Sequence, residues 1–261
     1  MNYDQSPGPY STPSGKAGKP MGEQPMRYMY AFQYIFENPN WITNVLLATV
    51  CFLIPVVGPI VLIGYQFQII EALLMRRTAT YPDFDFNQFG QLLTRGVWPF
   101  LAAMIPQMVY FMIVMFFGIF GFMATIAITA GVSDSSEGLG MLCFLSGMFF
   151  IFAAAMTLSV LFSLAMIPMT LAAGLSQEFG PAFNFAFVRD FVARVWKEMI
   201  LSSLFLTFAA LVLAPIGALV FCIGSYVVLA VLMLANAHLL YQLYALYLTR
   251  GGMPVPLKDG K

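Results

Sequence analysis

Long apolar stretches alternate with short polar segments along most of this chain. Four stretches, at residues 41–75, 97–131, 139–176 and 199–249, each hold at least the roughly 20 apolar positions that a membrane-spanning helix needs. Proline and glycine interrupt the first and the last stretch, and both favour turns over helix interiors. We therefore predict six spans, at about residues 41–55, 58–76, 97–130, 140–173, 198–216 and 220–249.

Two of these stretches are predicted to reverse the chain inside the membrane. As one helix, residues 42–74 would be about 50 Å long, well beyond a hydrocarbon core of about 30 Å. Three helix breakers lie within it, Pro55, Gly58 and Pro59, and Pro215 and Gly217 occupy a similar place in the last stretch. We predict hairpin turns at both. Because the first span is short, a shallow re-entrant hairpin is the alternative there.

The charged residues favour one orientation. If the first and the last stretch each cross the membrane twice, all 12 lysines and arginines fall on one face, whereas the loop at residues 131–140 has two acids and no base. Positively charged loops stay cytoplasmic, so we predict both termini on the cytoplasmic face of the inner membrane. Residues 1–24 are predicted to be a disordered cytoplasmic tail, residues 25–250 a six-helix membrane domain, and residues 251–261 a short cytoplasmic tail.

A mixed polar and aromatic segment precedes each pair of predicted spans, at residues 26–40, 84–97 and 179–195. Trp41, Trp98 and Trp196 follow these segments, at positions typical of interfacial anchors. Such segments suit amphipathic helices that lie in the membrane plane. The predicted fold is thus an all-α integral membrane protein of three hairpin units, each preceded by a cytoplasmic interfacial helix.

Several short motifs carry a resemblance to a known family. They are Asn38–Trp41, Pro55–Gly58, Gly64–Tyr65, Pro82–Asp85 and Phe89–Gly90, and near the end His238, Leu239, Gln242 and Tyr244. Over about residues 33–248 the chain resembles the bacterial and archaeal membrane family catalogued as domain of unknown function 4013, although Phe84 stands where the family often has tryptophan. The resemblance implies no established activity. A more distant likeness to membrane segments of some glycerophosphodiester phosphodiesterases hints at lipid metabolism.

Few residues offer catalytic or ligand chemistry. One histidine in 261 residues excludes an HExxH metal site and makes a catalytic triad implausible. The three cysteines, Cys51, Cys143 and Cys222, stand alone in apolar runs and are expected to be small buried hydrophobes. A net charge of zero gives no overall attraction to nucleic acid. We expect a protein that is not an enzyme and has no metal, cofactor or nucleic-acid partner.

Five polar side chains inside the predicted spans are candidates for a mid-membrane site: Gln66, Glu71, Gln107, His238 and Gln242. Counted along the helices, four of them lie about 12–18 Å from the cytoplasmic boundary. Glu71 is shallower, where it can reach the cationic pair at residues 76–77 or extend to the surface. Two interpretations stay open, namely hydrogen bonds that join spans and a polar cavity for a solute or a lipid head group.

Two classes of function follow from these patterns. A non-enzymatic membrane scaffold or accessory subunit is favoured by the absence of a charged path through the predicted spans. The alternative is a transporter or lipid-handling protein, with a polar cavity between broken helices. Membrane lipids are the expected partners, together with another membrane protein or a second copy of the chain.

Overall fold

The computed structural model describes residues 25–75, 80–133, 137–220 and 223–258, and helices are the regular elements within these ranges. The α-helices in chain order are α1 (Tyr30–Glu37), α2 (Trp41–Phe52), α3 (Val57–Leu74), α4 (Phe89–Ser133), α5 (Glu137–Ser176), α6 (Phe185–Ala218) and α7 (Ile223–Thr249). Short 3₁₀ turns at Phe86–Gln88 and Gly180–Phe183 precede α4 and α6. The predicted disordered tail at residues 1–24 lies outside the described residues.

Five of the described helices, α3 to α7, are long and apolar enough to cross a membrane. The predicted all-helical, membrane-compatible class is thereby confirmed at this coarse level. The prediction of six spans is not confirmed, because α2 has only 12 residues. A helix of that length measures about 18 Å, short of a hydrocarbon core of about 30 Å. Its length agrees with the alternative of a shallow re-entrant hairpin.

The first predicted turn lies in the connection between α2 and α3. Helix α2 ends at Phe52, and the carbonyl of Pro55 accepts a hydrogen bond from Val57 N at 2.7 Å, which closes a three-residue turn around Val56. Val56 adopts φ 62°, a left-handed value that is unfavourable for a β-branched residue. Gly58 lies against the end of α2, where an added Cβ atom would be 1.7 Å from the carbonyl oxygen of Cys51.

The second predicted turn was assigned to Pro215 and Gly217, but α6 continues past both residues. Pro215 and Gly217 lie inside α6, which continues to Ala218. Pro215 has no N–H to donate, but its carbonyl accepts a hydrogen bond from Leu219 N at 3.2 Å, so the helix continues past it. Gly217 packs against Gly224 at the start of α7, since a Cβ atom at Gly217 would lie 2.9 Å from the carbonyl oxygen of Gly224. Gly217 therefore serves a helix–helix contact beside the turn.

The packed core lies between α3 and α7, the two candidate spans with the largest buried share. One buried cluster joins α1, α2, α3 and α7 around Tyr65 and Leu234, and a second joins α3, α5, α6 and α7 around Phe191 and Tyr247. We call this part of the molecule the bundle: α1, α2, α3, residues 89–106 of α4, residues 164–176 of α5, α6 and α7.

Helix α3 packs in an antiparallel orientation against the first turns of α4. Two glycines allow the close approach: a Cβ atom at Gly64 would lie 1.9 Å from the carbonyl oxygen of Leu92, and one at Gly96 would lie 1.8 Å from that of Ile60. Helix α3 thus lies beside the first turns of α4, which were predicted to be interfacial. These contacts do not place α3 beside the middle of the predicted span 97–130.

The remaining parts of α4 and α5 form a two-helix arm. We define the arm as residues 107–133 of α4 and 137–163 of α5. Each part is about 40 Å long, enough to cross a bilayer. Within its described side chains no apolar residue is buried. The two helices do contact each other, since a Cβ atom at Gly147 would lie 2.6 Å from the side chain of Thr125.

The three predicted interfacial segments take different forms. Residues 26–40 contain α1 as a separate helix. Residues 84–97 contain a 3₁₀ turn and the beginning of α4, which continues as one helix to Ser133. Residues 179–195 contain a 3₁₀ turn and the start of α6, whose helical geometry is interrupted at Val195. A position in the membrane plane and the threefold repeat stay predictions.

The predicted C-terminal tail is packed where it is described. The backbone N–H of Met253 donates to the hydroxyl of Tyr247 at 3.0 Å, and that of Val255 donates to the hydroxyl of Tyr244 at 2.7 Å. The N–H of Lys258 donates to the carbonyl of Leu175 at 3.4 Å. Residues 251–258 therefore pack against the ends of α5 and α7.

Candidate functional site

The five predicted polar side chains lie in four different environments. In the described part of the chain, only His238 and Gln242 are hydrogen-bonded to each other. Glu71 is paired with a residue of α4, Gln66 is buried inside α3, and Gln107 faces outward from the arm. The described contacts therefore join only two members of the predicted polar layer.

His238 lies beneath α1, among aromatic rings. Tyr34 stacks on the imidazole with ring centroids 4.3 Å apart, and Tyr30 contacts its edge at 5.2 Å. These two tyrosines are four residues apart and so share one face of α1. The hydroxyl of Tyr34 donates to the carbonyl of Leu234 on α7 at 2.7 Å. Helix α1 thereby covers the ring and leaves His238 only 5% exposed.

Gln242 binds the backbone of the segment before α1 and determines which ring nitrogen of His238 carries the hydrogen. Its Oε1 accepts a hydrogen bond from Arg27 N at 2.7 Å, and its Nε2 donates to Arg27 O at 3.2 Å. Because a backbone N–H can only donate and a carbonyl can only accept, these bonds define the amide orientation. The same Nε2 lies 2.8 Å from Nδ1 of His238, which must accept. The neutral imidazole therefore carries its hydrogen on Nε2.

A cavity of about 310 Å³ lies beside this network. It is bounded by the segment before α1, by the first residue of α1 and by the C-terminal half of α7. The lining residues are Pro25, Met26, Arg27, Tyr30, His238, Tyr241, Gln242, Ala245, Leu246 and Thr249. This lining contains one cation and no carboxylate.

Glu71 forms an ion pair with Arg95, across the contact between α3 and α4. The side chains are 6% and 15% exposed, so the pair is largely removed from solvent. The cations at residues 76–77 that were considered as partners lie outside the described residues. Among described polar atoms, Arg95 Nε and Gln66 Nε2 are buried without a hydrogen-bond partner.

Gln107 lies on the outer surface of α4, next to Pro106. It shares an open groove of about 530 Å³ with Phe100, Ala103, Met104, Met108, Phe111 and Met112. No hydrogen bond to its amide is present within the described ranges. The position of Gln107 along α4 follows from the sequence, but the direction of its amide does not.

Sequence reasoning missed a polar cluster around Asp83. Oδ1 accepts hydrogen bonds from Asn38 and Asn44 at 2.9 and 3.0 Å, and Oδ2 accepts one from Asn40 at 2.7 Å. Asn44 also accepts from the backbone N–H of Phe84 at 2.9 Å. The cluster ties the start of α2 to the loop before α4. Its signal was present in the motifs Asn38–Trp41 and Pro82–Asp85, which bring these residues together in space.

The cluster defines the charge state of the carboxylate. Hydrogen bonds from Asn44 and Asn40, the two largest causes, lower the pKa of Asp83 below its usual value. An ionised carboxylate accepts these bonds more strongly than a protonated one, so the three asparagines favour the charged form. In the residues that the structure describes, no group of three or more His, Cys, Asp and Glu side chains could hold a metal ion.

A comparison with protein families decides what the motifs mean. A model described as "Protein of unknown function (DUF4013)" matches residues 47–222. The chain belongs to this family. The resemblance inferred from the motifs is confirmed, whereas the likeness to glycerophosphodiester phosphodiesterases is not shown. No curated protein and no solved structure matches the chain.

Proposed function

We propose that this DUF4013 protein is a non-enzymatic membrane scaffold or accessory subunit that binds a transmembrane helix of another membrane protein through the outer face of α4, where the bundle meets the arm. One observation carries the proposal: Gln107, an amide without a described hydrogen-bond partner, lies in an outward-facing apolar groove of α4. The groove is otherwise formed by Met and Phe side chains and Ala103.

An unpartnered amide facing hydrocarbon is unfavourable, because lipid tails offer no hydrogen bond. A partner helix can supply one, and such interhelical bonds are worth about 0.6 kcal/mol on average and up to about 2 kcal/mol. The three methionines of the groove are flexible and polarizable, so they adapt to an incoming helix. Both properties support docking of an apolar helix that carries a polar group.

The inner polar groups support the same class. Glu71 is neutralised by Arg95, and Gln242 is bonded to the backbone of Arg27. These groups hold helices together and leave no continuous charged path among the described contacts. The alternative, a transporter or lipid-handling protein, is favoured by one observation, the buried and unpartnered Nε2 of Gln66. Both termini are placed in the cytoplasm under this proposal, as the positive charges indicate.

The test is site-specific photocrosslinking in the native membrane. A photoreactive phenylalanine analogue replaces Met108 in the groove or Phe149 on α5, which are 59% and 66% exposed. We expect one stoichiometric protein adduct at Met108, identified by mass spectrometry, and none at Phe149. Gln107→Leu should weaken the adduct about threefold for a bond of average strength, and about tenfold for one worth about 1.4 kcal/mol.

Two results would overturn the proposal. One is an absence of protein adducts at Met108 in the native host. The other is equal adduct formation at Met108 and Phe149, which would mean that the arm meets neighbours at random. An adduct between two copies of the chain would make the scaffold a homo-oligomer and keep the groove as its interface.

A further inference from the structure

We propose that the cavity of about 310 Å³ between the segment before α1, which contains Arg27, and α7 binds a phosphate group, and that its occupant is the phosphate of a lipid head group. The proposal rests on three residues that line one cavity and whose hydrogen-bond donors have no acceptor among the described residues. These donors are the Arg27 guanidinium, Nε2–H of His238 and the hydroxyl of Tyr241. The site is independent of the docking groove on α4 and of the proposed scaffold role.

His238 supplies the most specific of these donors. Its Nδ1 is occupied by the amide of Gln242, so the remaining hydrogen is on Nε2. The side chain is 5% exposed, and the described residues offer no acceptor for that hydrogen. Among the described residues, the fully buried polar side-chain atoms without a partner are Gln66 Nε2 and Arg95 Nε. Nε2 of His238 is not one of them, so this atom is not completely buried. The imidazole thus presents a fixed donor to the cavity that it lines.

Arg27 supplies the charge. Its guanidinium lies 4.4 Å from the centroid of the Tyr30 ring, which holds it over the cavity wall. It forms no ion pair with any residue in the described ranges. Two acids lie near this wall without lining the cavity: Glu37 accepts the hydroxyl hydrogen of Tyr30 at 2.9 Å, and Glu198 is paired with Arg250. The cation is therefore available to an anion.

The remaining walls fit the rest of a lipid better than a soluble ion. Tyr241 contributes a hydroxyl without a described partner, whereas the hydroxyl of Thr249 donates a hydrogen bond to the carbonyl of Leu246. Apolar side chains complete the lining, among them Met26 and Leu246. Three donors match the several acceptor oxygens of a phosphate, which arginine binds well. A volume of about 310 Å³ accommodates a head group next to these apolar walls.

The single histidine of the chain allows a direct test. The full-length protein, labelled with ¹⁵N-histidine and purified with a tag free of histidine, is held in a maltoside detergent that contains no phosphate. Short-chain phosphatidic acid or inorganic phosphate is then titrated, and the His238 Nε2–H resonance is followed. We expect a saturable change of its chemical shift with phosphatidic acid at concentrations at least tenfold below those needed for inorganic phosphate.

Matched variants locate the effect. Arg27→Gln should weaken phosphatidic acid binding at least tenfold, and Tyr241→Phe should weaken it severalfold. Arg189→Gln removes an exposed cation at the start of α6, away from the cavity lining, and should leave binding unchanged. Thermal unfolding of each variant reports whether it has folded.

Each outcome is decisive. Equal affinity for phosphatidic acid and inorganic phosphate would keep the phosphate site and reject the lipid as its occupant. No shift with either ligand would overturn the proposal, as would equal losses in Arg27→Gln and Arg189→Gln. None of these results depends on a crosslink at Met108, so the two proposals fail separately.

Discussion

The bundle and the arm share two helices but use them differently. In the bundle, α4 approaches α3 so closely that neither Gly64 nor Gly96 has room for a Cβ atom, and Tyr65 and Tyr247 are fully buried. In the arm, the same helix α4 buries no apolar side chain among those described, and Gly118 has open space around it. Hydrophobicity alone therefore does not predict how much of a helix is buried. The arm also has a close glycine contact at Gly147 and a hydrogen bond between Tyr110 and Ser159, yet its described apolar side chains are not buried.

The ion pair of Glu71 and Arg95 should give the largest effect, because it links α3 to α4 inside the bundle. Arg95→Met leaves a buried carboxylate without this cation, which typically costs about 3–5 kcal/mol. We expect a steep fall in the thermal midpoint in detergent, or no folded protein. The double variant Glu71→Met with Arg95→Met should recover most of the loss. A double variant as unstable as Arg95→Met would show that the pair is not what joins the two helices.

A methyl group at the glycine contact should have the next largest effect. Gly64→Ala forces its Cβ atom against the carbonyl oxygen of Leu92, so the backbones must separate, at a cost of about 2–3 kcal/mol. Gly118→Ala, on the same type of helix in the arm, meets nothing within 4 Å and should be neutral or slightly stabilising. Thermal midpoints of the two variants measure the difference directly. Equal losses would remove the distinction between bundle and arm.

The Asp83 cluster should contribute less, because the carboxylate is solvent-exposed. Asp83→Asn keeps the shape but loses the charged acceptor for three asparagines, at a cost of about 1–2 kcal/mol. Since the folded state lowers the pKa of Asp83, its contribution is complete above the unfolded value of about 3.9 and is lost as the pH falls through the lower folded pKa. The stability gap between wild type and variant should therefore narrow below about pH 4.

Asp85→Asn is the matched control for that experiment, because among the described residues the Asp85 carboxylate accepts only from Asn87, within the adjacent 3₁₀ turn. Its loss should cost less than that of Asp83. A gap for Asp83→Asn that stays constant from pH 7 to pH 3 would mean that the hydrogen bonds do not depend on the charge.

Local features of the fold were predictable from the sequence. Apolar length gave the helices α3 to α7, since the length of a span is a property of one segment. The turn between α2 and α3 includes Pro55, whereas Gly58 and Pro59 lie inside α3 and Pro215 lies inside α6. The side chains that pair between different helices were not predictable in this way. Glu71 meets Arg95 through the register of two helices, which no single segment contains.

The candidate site was predictable only as far as one helix reaches. The pairing of His238 with Gln242 follows from their spacing of four residues on α7. Arg27 joins them from the other end of the chain, because Gln242 bonds its backbone. The outward direction of Gln107 was not predictable from its position along α4, and its depth in the membrane stays a prediction.

The smallest expected effect is at the tip of the bundle, where Val56 carries the only left-handed φ of a β-branched residue in the described chain. Such a conformation typically costs about 1–3 kcal/mol, and glycine adopts it freely at an entropic cost of up to about 1 kcal/mol. Val56→Gly should therefore stabilise the protein by about 1 kcal/mol, or about 2–4 °C in the thermal midpoint. Gln177→Gly, at φ 51° without β-branching, should gain less. If Val56→Gly instead lowers the midpoint, the packing of the valine side chain outweighs the strain of its backbone, and the short turn between α2 and α3 is set by that side chain.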